Sequence, residues 1–257
     1  MVAMSFDTEY RTVFSLIVRT LASHPLPCRS VPLTPLLADS AKQKLVTLDL
    51  EGVLAPEIWL AVADRFELDD MRMTTRDDPD YRKLMMQRIG VLTRHDIRFS
   101  QIVEVVSGLV PLPGAVAFLD RLRCQVPVVV LSDTFEQLAA PIFASLGQPV
   151  TLCHRLCIED DRIVDIMLRH EDPKRAAVQA FQSLNYEVIA VGDSYNDLSM
   201  LEAAEIGCLI HPPDSLRGTH PHLGLVEDLS ELATWLGLTT ETWADDEGAQ
   251  PALNSRP

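Results

Sequence analysis

Four short apolar runs, at residues 44–50, 127–131, 187–191 and 206–210, are separated by stretches of helical periodicity, and this alternation constrains the fold more than any other feature. Runs of this length, rich in Val, Ile and Leu, have the pattern of strands buried on both faces of a parallel sheet. Val128-Val129-Val130-Leu131 is largely β-branched, and Pro127 is tolerable as a strand's first residue. Helical stretches are expected at 114–123, 136–146, 174–184 and 197–204. The pattern predicts right-handed β-α-β units, and so an α/β fold with a doubly wound parallel sheet and helices on both faces.

One insertion interrupts the alternation. Residues 57–110 carry helical periodicity and no convincing strand. A doubly wound sheet binds ligands at the carboxyl ends of its strands, so a lobe inserted just after the first strand is expected to sit over that crevice. The expected organisation is a core at 43–56 and 111–238 with a small helical cap domain at 57–110. Residues 1–42, broken by Pro25, Pro27, Pro32 and Pro35, read as a disordered extension. Arginines without intervening acids hint at a transit peptide there, but Asp7 and Glu9 count against it. Residues 239–257 are polar and acidic and read as a flexible tail.

Composition excludes several classes. A chain of 257 residues that is 47% hydrophobic can bury a sizeable core. With 22 Lys and Arg against 37 Asp and Glu, the net charge of -15 and the absence of a basic stripe argue against nucleic acid. No stretch reaches the roughly 20 apolar residues that cross a bilayer, so no membrane partner is expected. Five cysteines (Cys28, Cys124, Cys153, Cys157, Cys208), odd in number and without a C-x-x-C pair, fit a reducing cytoplasm. Cys153, His154 and Cys157 lack a second ligand pair at zinc spacing and read as residues near a strand.

The ends of the expected strands carry the unusual residues. The first leads into Leu48-Asp49-Leu50-Glu51-Gly52-Val53-Leu54, with two carboxylates two apart and a glycine that permits a tight turn. The second ends in Leu131-Ser132-Asp133-Thr134, which sets hydroxyls at the same sheet edge but, taken alone, reads as a helix N-cap. Lys174 falls in the first turn of a helix, where the macrodipole disfavours a cation. Gly192-Asp193-Ser194-Tyr195-Asn196-Asp197 adds an acid cluster at a further strand end.

In order, D-x-E-G-V-L, L-S-D-T, D-P-K-R and G-D-S-Y-N-D resemble the four motifs of the haloacid dehalogenase superfamily, over roughly residues 44–210. Members commonly carry a second aspartate where this chain has Glu51. That departure occurs in the phosphoserine phosphatase branch that also acts as a phosphoserine:homoserine phosphotransferase. The chain resembles this branch through Leu54-Ala55-Pro56-Glu57-Ile58-Trp59, Thr74-Thr75-Arg76-Asp77, Leu131-Ser132-Asp133-Thr134-Phe135 and Gly192-Asp193-Ser194-Tyr195-Asn196-Asp197.

The resemblance implies a magnesium-dependent enzyme acting on a small molecule, O-phospho-L-serine, with homoserine as a second phosphoryl acceptor. Asp49 would be the nucleophile and Glu51 the proton donor and acceptor. Asp49, Asp193 and the Glu51 carbonyl would hold Mg²⁺, with Asp197 in the outer shell. Ser132 and Lys174 would hold phosphate, supported by Asn196. Glu57 and Arg88 would read the amino acid's ammonium and carboxylate groups, with Arg76 and Tyr81 as weaker candidates. Four acids around a dianionic substrate would repel one another without a cation, which is why magnesium suits the set. A phosphatase for another small phosphomonoester shares this chemistry. A signalling receiver domain also pairs such a sheet with a phosphorylated aspartate, but receivers lack an inserted cap and place that aspartate later in the chain. The histidines carry no expected role.

Overall fold

The computed structural model describes residues 42–73 and 80–238. The expectations for the two chain ends and for Arg76 therefore lie outside the described residues. Among those described, a seven-stranded sheet has the order β4-β3-β2-β1-β5-β6-β7. Its strands are β1 (Gln43–Leu48), β2 (Val128–Phe135), β3 (Thr151–Glu159), β4 (Arg162–Met167), β5 (Tyr186–Gly192), β6 (Ile206–Ile210) and β7 (Gly224–Val226). β1 lies between β2 and β5 and runs parallel to both.

Strict alternation along these strands divides the interior in two. Val46, Leu48, Val130, Ile189 and Val191 face one hydrophobic cluster, with Phe118 and Leu119 of α4 (Ala115–Arg123), Leu138 and Ile142 of α5 (Glu136–Ser145), and Leu232 of α8 (Leu229–Trp235). Leu45, Val129, Leu131, Val188 and Ala190 face the other, with Ala177 and Val178 of α6 (Pro173–Ser183) and Met200 and Leu201 of α7 (Leu198–Ala203). A strand buried on both faces needs apolar residues at successive positions, which is why these runs are almost wholly apolar, with Thr47 of β1 the buried polar exception.

The sheet is not wholly parallel. β4 runs antiparallel to β3, joined by a tight turn in which Asp160 and Asp161 both take positive φ, 48° and 60°. Aspartate tolerates that conformation less readily than glycine, so the hairpin lacks the usual Asp-Gly or Asn-Gly signature. The short edge strand β7 and helix α8 are further elements beyond those expected.

Between β1 and α4 the described chain is helical: α1 (Ile58–Phe66), a 3₁₀ turn at Asp69–Met71, α2 (Tyr81–Arg94) and α3 (Phe99–Ser107). α3 is tied to the β3–β4 hairpin. The Phe99 amide donates to the Asp161 carbonyl at 2.8 Å, and the Asp161 carboxylate accepts from the Ser100 amide at 2.9 Å and hydroxyl at 2.6 Å. Arg82 of α2 reaches Asp165 of β4 at 2.9 Å. No helix among the described residues is long and apolar enough to cross a membrane.

Candidate active site

The strand order reverses between β1 and β5, and in open α/β sheets such a switch point opens a crevice at the carboxyl ends. Leu48 pairs with Val191, and the Asp49 amide donates to the Val191 carbonyl at 2.9 Å. The next residues on each strand are therefore Asp49 and, just past Gly192, Asp193. Asp49, Asp193 and Asp197 each bring a carboxylate oxygen within 4.8 Å of the others.

Two glycines make room for this crowding. At Gly52, with φ of +80°, an added Cβ would lie 2.2 Å from Asp193 Oδ2; at Gly192 it would lie 2.3 Å from Asp197 Cγ. The carboxylates of Asp193 and Asp197 thus occupy space that side chains at 52 and 192 would fill.

Lys174 resolves the misfit noted in the sequence. Asp172 caps α6 and Pro173 opens it, so Lys174 sits at a helix N-terminus where a cation is disfavoured. Its ammonium is buried against three carboxylates: Asp197 Oδ1 at 2.7 Å, Asp49 Oδ1 at 3.0 Å and Asp133 Oδ2 at 3.5 Å. Burial alone would discharge the amine, yet Asp197, Asp49 and Asp133 outweigh it and hold Lys174 charged, well above the usual lysine range.

One lysine does not balance the acids. Burial, then the charges of Asp197 and Asp193, raise the Asp49 pKa well above its ordinary value despite Lys174. Burial, then Asp197 and Glu57, push Asp193 up to about 7. Burial, then Glu57, push Glu51 up to about 8, against the Ile58 amide that donates to its Oε1 at 2.7 Å. Such an excess of repelling oxygens, with no soft ligand, suits a hard divalent cation. Asp197 is already committed: Oδ1 to Lys174, and Oδ2 to the Asp193 amide at 3.0 Å and the Ser194 amide at 3.1 Å. Asp49 takes both Lys174 and the Leu50 amide on Oδ1. Asp49 and Asp193 are thus the carboxylates best placed to hold a metal directly.

A model of the haloacid dehalogenase-like hydrolase domain matches residues 43–205, and it is this match that decides the family. The chain belongs to the haloacid dehalogenase-like hydrolases. Family membership removes the receiver-domain alternative. The chain is 45% identical over 222 residues to a protein of Pseudomonas syringae pv. tomato named phosphoserine phosphatase, covering 85% of this chain and 93% of that one. It is 48% identical over 190 residues to phosphoserine phosphatase ThrH of Pseudomonas aeruginosa, covering 74% and 93%. Among solved structures, a phospho-aspartyl intermediate analogue of phosphoserine phosphatase superposes with a TM-score of 0.65 at 20% identity, covering 76% of this chain and 99% of that one. A substrate-bound phosphoserine phosphatase complex superposes with a TM-score of 0.64 at 18% identity, covering the same shares. Both of these likenesses are of fold.

In this haloacid dehalogenase-like hydrolase the remaining expected residues fall as follows. Ser132 is buried on β2, with Oγ accepting from the Thr134 amide at 3.2 Å. The β2–β3 register shifts here: Leu131 pairs with Leu152 but Phe135 with His154, so 132–134 bulge out of the regular ladder. Asn196 is exposed and, with Lys174, lines a cleft of about 330 Å³ that also takes in Tyr81, Asp133, His170 and Tyr195. That cleft opens on the Lys174 side, and Asp49 and Asp193 do not line it.

Arg88 is a buried residue of α2 rather than a solvated helix charge. Its Nη2 donates to the Met73 carbonyl at 2.7 Å, its guanidinium lies 5.4 Å from the centre of the Trp59 ring, and its Nε is buried without a partner. Burial lowers its pKa, opposed by Tyr81, Glu51 and Glu57, so these charges share one neighbourhood. Glu57 is exposed at the start of α1. Tyr81 donates its hydroxyl to the Asp133 carbonyl.

Sequence reasoning missed Asp133 and His154. Asp133 lies inside L-S-D-T, where the sequence offers hydroxyls and a helix N-cap but no cue to a buried charge partner. The tempting zinc set around His154 is dissolved by its contacts: Nδ1 accepts from the Arg169 amide at 3.2 Å, and Nε2 lies 3.7 Å from Asp133 Oδ1.

Proposed function

We propose that this chain is a magnesium-dependent phosphoserine phosphatase, hydrolysing O-phospho-L-serine to L-serine and phosphate through an aspartyl-phosphate on Asp49. The observation that carries the reading is the buried Lys174 ammonium 3.0 Å from Asp49, with a carboxylate oxygen of Asp193 within 4.8 Å of one of Asp49. A nucleophilic carboxylate, a fixed cation and a hard-metal donor set at one strand switch point are what phosphoryl transfer needs. The two relatives named phosphoserine phosphatase support the substrate.

In the first step an Asp49 oxygen attacks phosphorus as the bond to the serine oxygen breaks, and Glu51 delivers its proton to that oxygen. In the second, water attacks phosphorus, Glu51 takes the water's proton, and the Asp49 carboxylate leaves. Lys174 and the Ser132 hydroxyl meet the equatorial oxygens, and Asn196 supports them from the cleft. Asp49, Asp193 and the Glu51 carbonyl would hold magnesium, with Asp197 as an outer partner, and the ion would supply the positive charge that lets a dianion approach these carboxylates. Arg88 pairs with the substrate carboxylate and Glu57 with its ammonium, from a helical cap at 57–110 over a core at 43–56 and 111–238.

The decisive experiment measures phosphate release from O-phosphoserine with and without Mg²⁺. Turnover that Asp49→Asn abolishes is expected, and metal-independent turnover would overturn the reading. Arg88→Ala is expected to cost roughly 10–100-fold in kcat/KM for phosphoserine, the value of a charged hydrogen bond, and little for an aryl phosphate lacking a carboxylate. Equal losses would favour another phosphomonoester.

Transfer to homoserine is part of the proposal. Glu51 is a methylene longer than aspartate, and the Ile58 amide draws its carboxyl towards α1, which supports room for an alcohol beside the phosphorus. An unchanged ratio of transfer to hydrolysis in Glu51→Asp would remove that support. A cytoplasmic location is likewise proposed, in keeping with free thiols at Cys124, Cys153, Cys157 and Cys208.

A further inference from the structure

We propose that His154 is a positioning residue for Lys174, acting through the Asp133 carboxylate. His154 is buried at the register shift where β2 leaves the β3 ladder, beside Asp133 rather than in the apolar core alone. Its proton is assigned by its neighbours. The Arg169 amide donates to Nδ1 at 3.2 Å, so Nδ1 is the acceptor and Nε2 carries the hydrogen. Nε2 lies 3.7 Å from Asp133 Oδ1, a charge–dipole contact, while Asp133 Oδ2 lies 3.5 Å from Lys174 Nζ. The ring is held in this orientation by Tyr81 and Phe135, whose centres are 5.7 and 6.0 Å from it. Tyr81 also fixes the Asp133 carbonyl, so the bulged residue is anchored at its backbone and its side chain.

The consequence is a relay of orientation rather than of protons. A carboxylate on an irregular stretch of strand has freedom about its χ angles. The His154 N–H draws one oxygen towards the buried ring and leaves the other for Lys174. Lys174 then faces three fixed carboxylates, and the Asp133 contact, the longest at 3.5 Å, is the one it can most readily exchange for a phosphate oxygen. Outer partners of this kind preorganise a charged site without touching substrate.

The kinetic consequence rests on the aspartyl-phosphate reading; the imidazole tautomer does not. His154→Leu is expected to lower kcat for phosphoserine roughly 3–10-fold, the worth of a long charge–dipole contact rather than of a full hydrogen bond, with KM within about twofold. His154→Gln, whose amide N–H reaches towards the same place, is expected to restore most of the loss. In an Asp133→Asn background, His154→Leu is expected to add little, because the link is already cut. Long-range ¹H–¹⁵N spectra of the wild-type imidazole are expected to show the Nε2–H tautomer. The proposal is overturned by an Nδ1–H tautomer, by an unchanged kcat in folded His154→Leu, or by the same loss with and without Asp133. Should His154→Leu not fold, His154→Gln and the wild-type spectrum decide. A wild-type protein inert towards phosphoserine would sink the functional reading instead, and the spectrum would still judge the contact.

Discussion

Lys174 and Asp197 meet at 2.7 Å with almost no exposure of either side chain. Removing one partner of a buried pair leaves the other charge without compensation, which commonly costs about 3–5 kcal/mol. Lys174→Met is therefore expected to destabilise the metal-free protein by about that much in urea unfolding and to abolish turnover. A change below about 1 kcal/mol would mean that the acids it faces are largely protonated in the fold.

Gly52 and Gly192 are expected to resist the smallest substitution. Gly52→Ala meets Asp193 Oδ2 at 2.2 Å and Gly192→Ala meets Asp197 Cγ at 2.3 Å, so each variant should lose most of its turnover. Gly218 provides the control. Its φ is +75° but an added Cβ meets nothing within 4 Å, so Gly218→Ala should cost only about 1–2 kcal/mol of backbone strain and leave kcat unchanged. Steady-state kinetics on the three variants separates the two effects.

Metal should stabilise the fold through the carboxylates it quiets. At a hundred times its dissociation constant, Mg²⁺ is expected to add about 2.7 kcal/mol to unfolding stability. Asp193→Asn should remove most of that gain. Thermal unfolding with and without Mg²⁺ measures it, and an equal gain in the variant would place the ion elsewhere.

Asp133 predicts a specific acid sensitivity. Burial would raise its pKa, but the Lys174 ammonium and the His154 N–H together hold it below the ordinary 3.8. A depressed acid stabilises the fold above its unfolded pKa, and the contribution fades as pH falls through the lower folded value. The stability difference between wild type and Asp133→Asn should be flat from about pH 5 to 8 and shrink below about pH 4. Chemical denaturation across that range tests it; a difference that grows below pH 4 has the wrong sign.

Asp161 ties the hairpin to α3 through the Ser100 amide and hydroxyl. Asp161→Ala should speed hydrogen exchange at the amide of Ser100, while exchange in the buried β1 stays slow. Unchanged exchange at Ser100 would show that the Phe99 amide, donating to the backbone of residue 161, holds the helix end alone.

The central sheet was legible because strands buried on both faces write themselves as unbroken apolar runs, as at Val128–Leu131 and Ile189–Val191. β3 and β4 were not, since each exposes one face and alternates weakly: Thr151–Glu159 places Arg155 outward and Leu156 inward without a clear period. Their turn, Asp160-Asp161, carries none of the glycine that usually marks such a connection. At the site, Lys174 was legible as a cation where a helix dipole resists one. His154 was not, because its partners Asp133 and Arg169 come to it from another strand and from the residues after β4, a proximity that no local spacing records.

The hairpin's bonds to α2 and α3 carry a practical consequence for anyone exchanging this helical segment between relatives. Excising residues 57–110 alone would sever Ser100 from Asp161 and Arg82 from Asp165, leaving a donor helix resting on a foreign β-turn. A graft that transplants 151–167 together with 57–110 would carry both halves of the clasp, so the swappable module in this enzyme is discontinuous in the chain.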